Sequence, residues 1–286
     1  MRDAETNPSP DFGAALTAWA AAEPSVSGLV LIGSRVRAPT DALEFADAHS
    51  DWDFHVVTAQ PRMFLECRWA APLLGGSLRA YAARSAIIGG VPKVNLVFPG
   101  AEADLVVIPE KLLRRVKWRA ALGLHRRPGW TQRRMQDIAE VIRPGWRFLQ
   151  GEARWGPLYR RAVAEVADPH LGDPAVCQLA EGFVCDYVWT LRKLARGEFL
   201  TAQRMLHREL AEVNFQLLHE LKLRRGERTF TKARRLERIA SPAELAGVTV
   251  DARCEPAALR AALEQSAATC RELMAALVGA AWRWPP

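Results

Sequence analysis

The chain has 286 residues, 49% of them hydrophobic and 25% charged, a balance that suits a globular protein large enough for two domains and excludes a disordered or fibrous one. Its five cysteines, Cys67, Cys177, Cys185, Cys254 and Cys270, are widely spaced with no CxxC pair, which speaks against a disulfide framework or a zinc site and for reduced thiols in a cytoplasmic protein. No apolar run is long enough for a membrane span, and the acidic Asp3, Glu5 and Asp11 ahead of the short Ala14–Ala22 run are unlike a secretory leader.

In chain order, Phe12–Ala22 reads as an amphipathic helix with Phe12, Leu16 and Trp19 near helical spacing. Gly28–Ile32 reads as a buried strand that ends at Gly33-Ser34-Arg35. After a spacer of 16 residues beyond Ser34 comes Asp51-Trp52-Asp53, which opens a second strand, Phe54-His55-Val56-Val57. Residues two apart on a strand share a face, so Asp51 and Asp53 project together. Two such carboxylates repel unless a cation lies between them. A hard divalent ion such as Mg²⁺ prefers oxygen ligands and shares them with substrate phosphates. Gly33 lets the backbone approach a phosphate, and Ser34 offers a hydroxyl.

Further on, Pro61–Cys67 reads as the start of a helix or lid, Leu73–Gly76 as a turn and Leu78–Ala86 as a short helix. Gly89-Gly90 and Pro92 lead into two strands around Pro99-Gly100, spanning Lys93–Pro109. Asp104 is isolated in the second, an otherwise apolar strand. Beyond Pro109 strand signals fade. Helices are expected over Glu110–Leu122, Gln132–Leu149 apart from Pro144-Gly145, Pro157–Val166, Asp173–Ala195 with Asp173 as cap, Glu198–Arg225, and after Ser241-Pro242 and Glu255-Pro256. The architecture is therefore α+β: a mixed sheet with flanking helices over 1–115, then an all-helical bundle over 116–286.

Gly-Ser, a spacer, Asp-x-Asp on a strand and a third acid on a later strand together resemble the nucleotidyltransferase superfamily. Gly33-Ser34-Arg35, Asp51-Trp52-Asp53 and Asp104-Leu105 with Pro109 following make the chain most similar to the aminoglycoside 6-adenylyltransferase type, drug-modifying enzymes linked to antibiotic resistance. The motifs cover roughly residues 26–110, and the spacer is longer than in those relatives. The resemblance implies transfer of a nucleoside monophosphate, AMP from ATP, to a hydroxyl of a small acceptor. It assigns Mg²⁺ to Asp51, Asp53 and Asp104 and the phosphates to Gly33 and Ser34, with Arg35 as a clamp. It places the general base on Asp104 or on a carboxylate of the helical half, Glu198 or Asp186. His55 shares the face of Asp53, and His49 lies just ahead of the pair. Trp118, Trp130, Trp146, Trp155 and Trp189 could stack on a base or a sugar, with core filling as the default.

Residues 1–110 hold 8 Lys+Arg and 13 Asp+Glu, a net of −5, whereas 111–286 hold 31 and 19, a net of +12. Residues 111–150 alone hold 11 basic and 2 acidic side chains, most of them expected as solvated arginines. A basic half suits a polycationic aminoglycoside poorly. An RNA acceptor is the second reading, and a catalytically silent nucleotide-binding or interaction protein the third. The oligomeric state is left open.

Overall fold

The computed structural model describes residues 11–37, 46–47, 49–86, 90–167, 170–230 and 233–285, so the expected turn residue Gly89 and the acidic leader residues Asp3 and Glu5 lie outside the described residues. The fold is α+β, with a six-stranded mixed sheet, its flanking helices, and a separate helical unit. Helix α1 (Phe12–Ala22) is capped by Asp11, whose carboxylate accepts the Ala14 N–H at 3.0 Å. Strands β1 (Val26–Ile32), β2 (Trp52–Thr58), β3 (Ala80–Ser85), β4 (Pro92–Phe98), β5 (Ala101–Pro109) and β6 (Trp146–Gln150) form the sheet. Its order is β3-β4-β5-β2-β1-β6, with β2 and β5 parallel and every other pair antiparallel.

One sheet face packs Leu29, Leu31, Phe54, Val56, Leu96 and Leu105 against α1 and the 3-10 turns over Pro61–Leu65, Cys67–Trp69 and Leu73–Gly76. The other packs Val30, Ile32, Val57 and Ile108 against α2 (Glu110–Ala121), α3 (Trp130–Ile142) and α4 (Glu152–Glu165). The alternation of these residues along β1, β2 and β5 is the period-two pattern of a sheet covered on both sides. Gly28 is required for the second layer, because a Cβ there would stand 2.8 Å from Cδ1 of Trp155. The Trp155 indole packs on Gly28 and donates to the Ser27 carbonyl at 3.0 Å, which ties α4 to the sheet.

Three expectations are corrected. Residues 78–86 hold an edge strand, β3, where a short helix was expected, since Ala, Arg and Tyr accept the conformation that β4 imposes through six register pairs. Helix α3 stops at Ile142, ahead of Pro144-Gly145, and the residues after it form β6 on the free edge of β1. The Pro61–Cys67 segment makes 3-10 turns and no α-helix.

The chain divides into two compact units, residues 1–169 and 170–286, beyond the boundary expected at 115/116. Pairing of β6 with β1 and the packing of α2–α4 on the sheet hold residues 116–165 in the first unit. In the second unit α5 (Asp173–Ala195), α6 (Phe199–Met205), α7 (Ala211–Arg224) and α10 (Pro256–Leu277) enclose Phe183, Leu210, Leu217, Leu263 and Met274, with the short α8 (Leu236–Ile239) and α9 (Pro242–Val248) at one side. A π-turn over Leu206–Leu210 joins α6 to α7. Asp173 is the first residue of α5 and not its cap; its carboxylate accepts from Arg224 Nη1 at 2.9 Å. Lys222 is buried, satisfied by Glu227 at 2.8 Å and Glu244 at 3.1 Å, as a desolvated ammonium must be.

Candidate metal centre

Strand β1 delivers the chain at Ile32 into a 3-10 turn over Gly33–Val36. Gly33 has φ +78°, and a Cβ on it would stand 2.3 Å from Asp53 Oδ2. Only glycine satisfies both the left-handed backbone and that contact. Ser34 follows, and its hydroxyl has no hydrogen-bond partner among the described residues. Arg35 turns back: Nε donates to the Asp51 carbonyl at 3.0 Å and Nη2 to the Ser50 carbonyl at 2.5 Å, while the guanidinium stacks 4.2 Å over Trp52. Trp52 is in turn parallel to Phe54, 6.1 Å between centroids. Arg35 therefore fastens the turn to the segment that carries the acids.

Asp51 immediately precedes β2 and Asp53 is its second residue. The parallel register sets Asp104 of β5 directly beside Asp53. One oxygen from each of Asp51, Asp53 and Asp104 lies within 4.8 Å of the others, so the structure brings together the three acids singled out in the sequence. Burial raises the Asp51 pKa, and the charge of Asp104 adds to it. Lys93 Nζ is 2.5 Å from Asp104 Oδ2, and the Asn95 side-chain amide donates to Asp104 Oδ1. The three carboxylates, with the Lys93 ammonium on Asp104, form an all-oxygen donor set. That chemistry fits a hard divalent cation such as Mg²⁺.

Lys93 and Asn95 were not singled out from the sequence, although a signal was there. A two-residue turn at Pro99-Gly100 pairs Phe98 with Ala101 and therefore Asn95 with Asp104, and Lys93 shares the Asn95 face.

His55 is buried, with Nδ1 2.8 Å from the Tyr159 hydroxyl, and burial lowers its pKa to about 4. It is a core residue behind the acids. His49 is exposed in a turn, its backbone N–H donating to Asp47. Glu198 and Asp186 belong to the second unit. Glu198 precedes α6 and accepts from Lys193 Nζ at 2.7 Å, without capping the helix. Asp186 lies on α5, its pKa raised by burial and then by the charge of Glu209. Of the tryptophans, Trp155 is core, Trp130 lies under Arg115 and Arg119, Trp189 under Lys193, and Trp118 is exposed. Several arginines of residues 111–150 hold structure: Arg119 bonds Thr131, Arg126 bonds Glu165, Arg134 bonds Asp137, and Arg143 bonds the Val163 and Val166 carbonyls.

No protein-family model matches the chain, and no curated protein sequence matches it significantly. Among solved structures, it is similar to an aminoglycoside 6-adenyltransferase from Bacillus subtilis, with 12% identity, 98% of this chain and 94% of that chain covered, and a TM-score of 0.39. It is also similar to a nucleotidyltransferase-like protein from Exiguobacterium sibiricum, with 13% identity, 93% and 76% coverage, and a TM-score of 0.35. Both are likenesses to other molecules, and the chemistry proposed below rests on the carboxylates of this chain.

Proposed function

We propose that the chain is a metal-dependent nucleotidyltransferase that moves a nucleoside monophosphate, AMP from ATP, onto a hydroxyl of a small acceptor. The observation that carries this reading is the convergence of Asp51, Asp53 and Asp104 beside the Gly33 turn. Asp51, Asp53 and Asp104 would hold Mg²⁺, which when bound supplies positive charge to the triphosphate and to the developing charge of phosphoryl transfer.

The protein's own part is positioning. Gly33 keeps a bare backbone against Asp53, so that the carboxylate can sit where a side chain would otherwise be, and Ser34 would offer its hydroxyl to the phosphates. Arg35 acts through the backbone at Ser50 and Asp51, holding the first acid in place, and this geometry favours a positioning role over the phosphate clamp. In the transfer itself, the acceptor oxygen bonds to the α-phosphorus, the bond from that phosphorus to the bridging oxygen breaks, and pyrophosphate leaves. The hydroxyl proton needs a base. Both oxygens of Asp104 already accept hydrogen bonds, from Lys93 and Asn95. Glu198, which accepts from Lys193, and Asp186 of the second unit are the alternative candidates for that base.

The reading is tested by incubating the protein with Mg²⁺ and ATP labelled at the α-phosphate, against a panel of aminoglycosides, other small polyols and alcohols, and short RNAs. Label is expected in a small acceptor and to vanish with chelator. Label in RNA alone would replace the acceptor, and no label in any acceptor, with Mg²⁺ bound at the acids, would support the silent nucleotide-binding reading.

A further inference from the structure

Strand β4 runs antiparallel to β5 in a register that pairs Lys93 with Val106 and Asn95 with Asp104. Residues two apart on a strand share a face, so both polar side chains come to the same carboxylate. Lys93 Nζ lies 2.5 Å from Asp104 Oδ2, and the Asn95 amide donates to Oδ1. The two side chains start from a strand that the hydrogen-bond ladder holds in place, and they fix the carboxylate from both of its oxygens. The pair is not a solvated surface contact, because the lysine side chain is 35% exposed and that of Asp104 21%.

An ammonium has three hydrogens to donate. Asp104 is the sole partner of Nζ among the described residues, so hydrogens remain for an oxygen of a bound molecule. Phosphoryl transfer is commonly assisted by two divalent ions about 3.5–4 Å apart that stabilise the attacking and leaving oxygens. With Asp51 and Asp53 at one end of β2 and Asp104 on β5, a second ion would need its share of Asp104. The ammonium already stands there. Mg²⁺ demands oxygens at about 2.0–2.1 Å in near-ideal octahedral geometry, and a second dication on that carboxylate would meet the like charge of Lys93. One ion can reach all three acids from the side of Asp51 and Asp53, since a carboxylate has about four lone-pair sites.

We infer that this centre works with one divalent ion, and that the Lys93 ammonium takes the place of a second, offering its charge and its remaining hydrogens to the oxygens of a bound phosphate ester. The inference rests on the metal-dependent transfer proposed above, but it concerns the number of ions held, which is measured without turnover. If the pair served only to fasten β4 to β5, removing the ammonium would alter stability and leave the ion count as it was.

The test uses the full chain with Mn²⁺ and an ATP analogue that has a methylene between the α- and β-phosphorus and so is not cleaved there. Ultrafiltration counts the bound Mn²⁺, and electron paramagnetic resonance tells an isolated ion from a spin-coupled pair. The parent chain should saturate at one ion with the spectrum of an isolated ion. Lys93→Met, of similar length without the charge, should take up two ions and show a coupled spectrum. Lys93→Arg, which restores the charge, should return to one. Two coupled ions in the parent, or one ion in a folded Lys93→Met, would overturn the inference. No bound ion in the parent would overturn it together with the metal-dependent reading. One isolated ion in the parent and two in Lys93→Met would uphold it even where no label is transferred, and the transfer reading alone would fall. If Lys93→Met does not fold, the count and spectrum of the parent decide.

Discussion

Lys93 gives the carboxylates a tethered positive charge, with its ammonium 2.5 Å from Asp104. An entering divalent ion must compete with it. Lys93→Met should therefore enlarge the rise in melting temperature produced by Mg²⁺, and an unchanged or smaller rise would show that the lysine and the ion do not compete. Asp53→Asn removes an ion ligand with little change of shape. It should fold normally and lose both the Mg²⁺-dependent rise and about a hundredfold or more of transfer, a loss typical when one electrostatic group of an active site is removed. Gly33→Ala combines a strained φ of +78° with a methyl 2.3 Å from Asp53 Oδ2. Urea unfolding should show a loss of about 2 kcal/mol, with weaker Mg²⁺ binding because Asp53 must move. Retained stability and retained metal affinity would remove the glycine from the site.

Among the elements, those whose neighbours lie on both sides were legible in the sequence. The apolar runs of β1, β2 and β5 sit in the centre of the sheet, and the Pro99-Gly100 turn fixed the hairpin of β4 and β5. The two misread strands, β3 and β6, are the two edges. An edge strand is held by one partner, and its residues are mostly exposed or partly buried, so its own pattern is weak. The residues Ala80–Ser85 favour helix locally and become strand through β4 alone. The carboxylate positions were legible because motif and strand coincide there; Arg35's attachment to main-chain carbonyls was not, since it depends on how the turn folds back. Helix α10 offers a test of burial. Cys270 lies fully inside the second unit, and burial raises its pKa from 9.0 to about 12. Between those values the unfolded chain releases the thiol proton while the folded chain keeps it, so stability is lost as pH rises. At about pH 10.5 the loss from this group approaches about 2 kcal/mol. Urea melts at about pH 8 and pH 10.5 should show Cys270→Ala with a visibly flatter alkaline decline than the parent; equal slopes would mean the thiol is not buried in solution.

At the scale of the whole molecule, the charge contrast seen along the sequence depends on where the chain is cut. With the boundary at 169/170, the first unit has 22 basic and 18 acidic residues and the second 17 and 14. The basic stretch 111–150 belongs to the sheet unit, and the helical unit is close to balanced. The objection that a basic helical half disfavours a cationic acceptor therefore loses its force. Several arginines of that stretch bond to neighbouring side chains and carbonyls, which leaves fewer for phosphate backbones. Short RNAs should accordingly bind no more tightly than the micromolar range at physiological salt, as non-specific contacts do. A submicromolar complex, measured by filter binding, would restore the RNA acceptor.

The parallel pairing of β2 with β5 joins residues fifty-one positions apart, Asp53 and Asp104, while β4 and β5 meet through a two-residue turn. Contacts of such sequence separation form late, after local hairpins have closed. We expect the ion site to be completed after the rate-limiting barrier, since it needs this long-range pairing to be fully in register. In stopped-flow experiments Mg²⁺ should slow unfolding and leave the refolding rate unchanged. Bound metal would then lengthen the lifetime of the native protein without helping it to form.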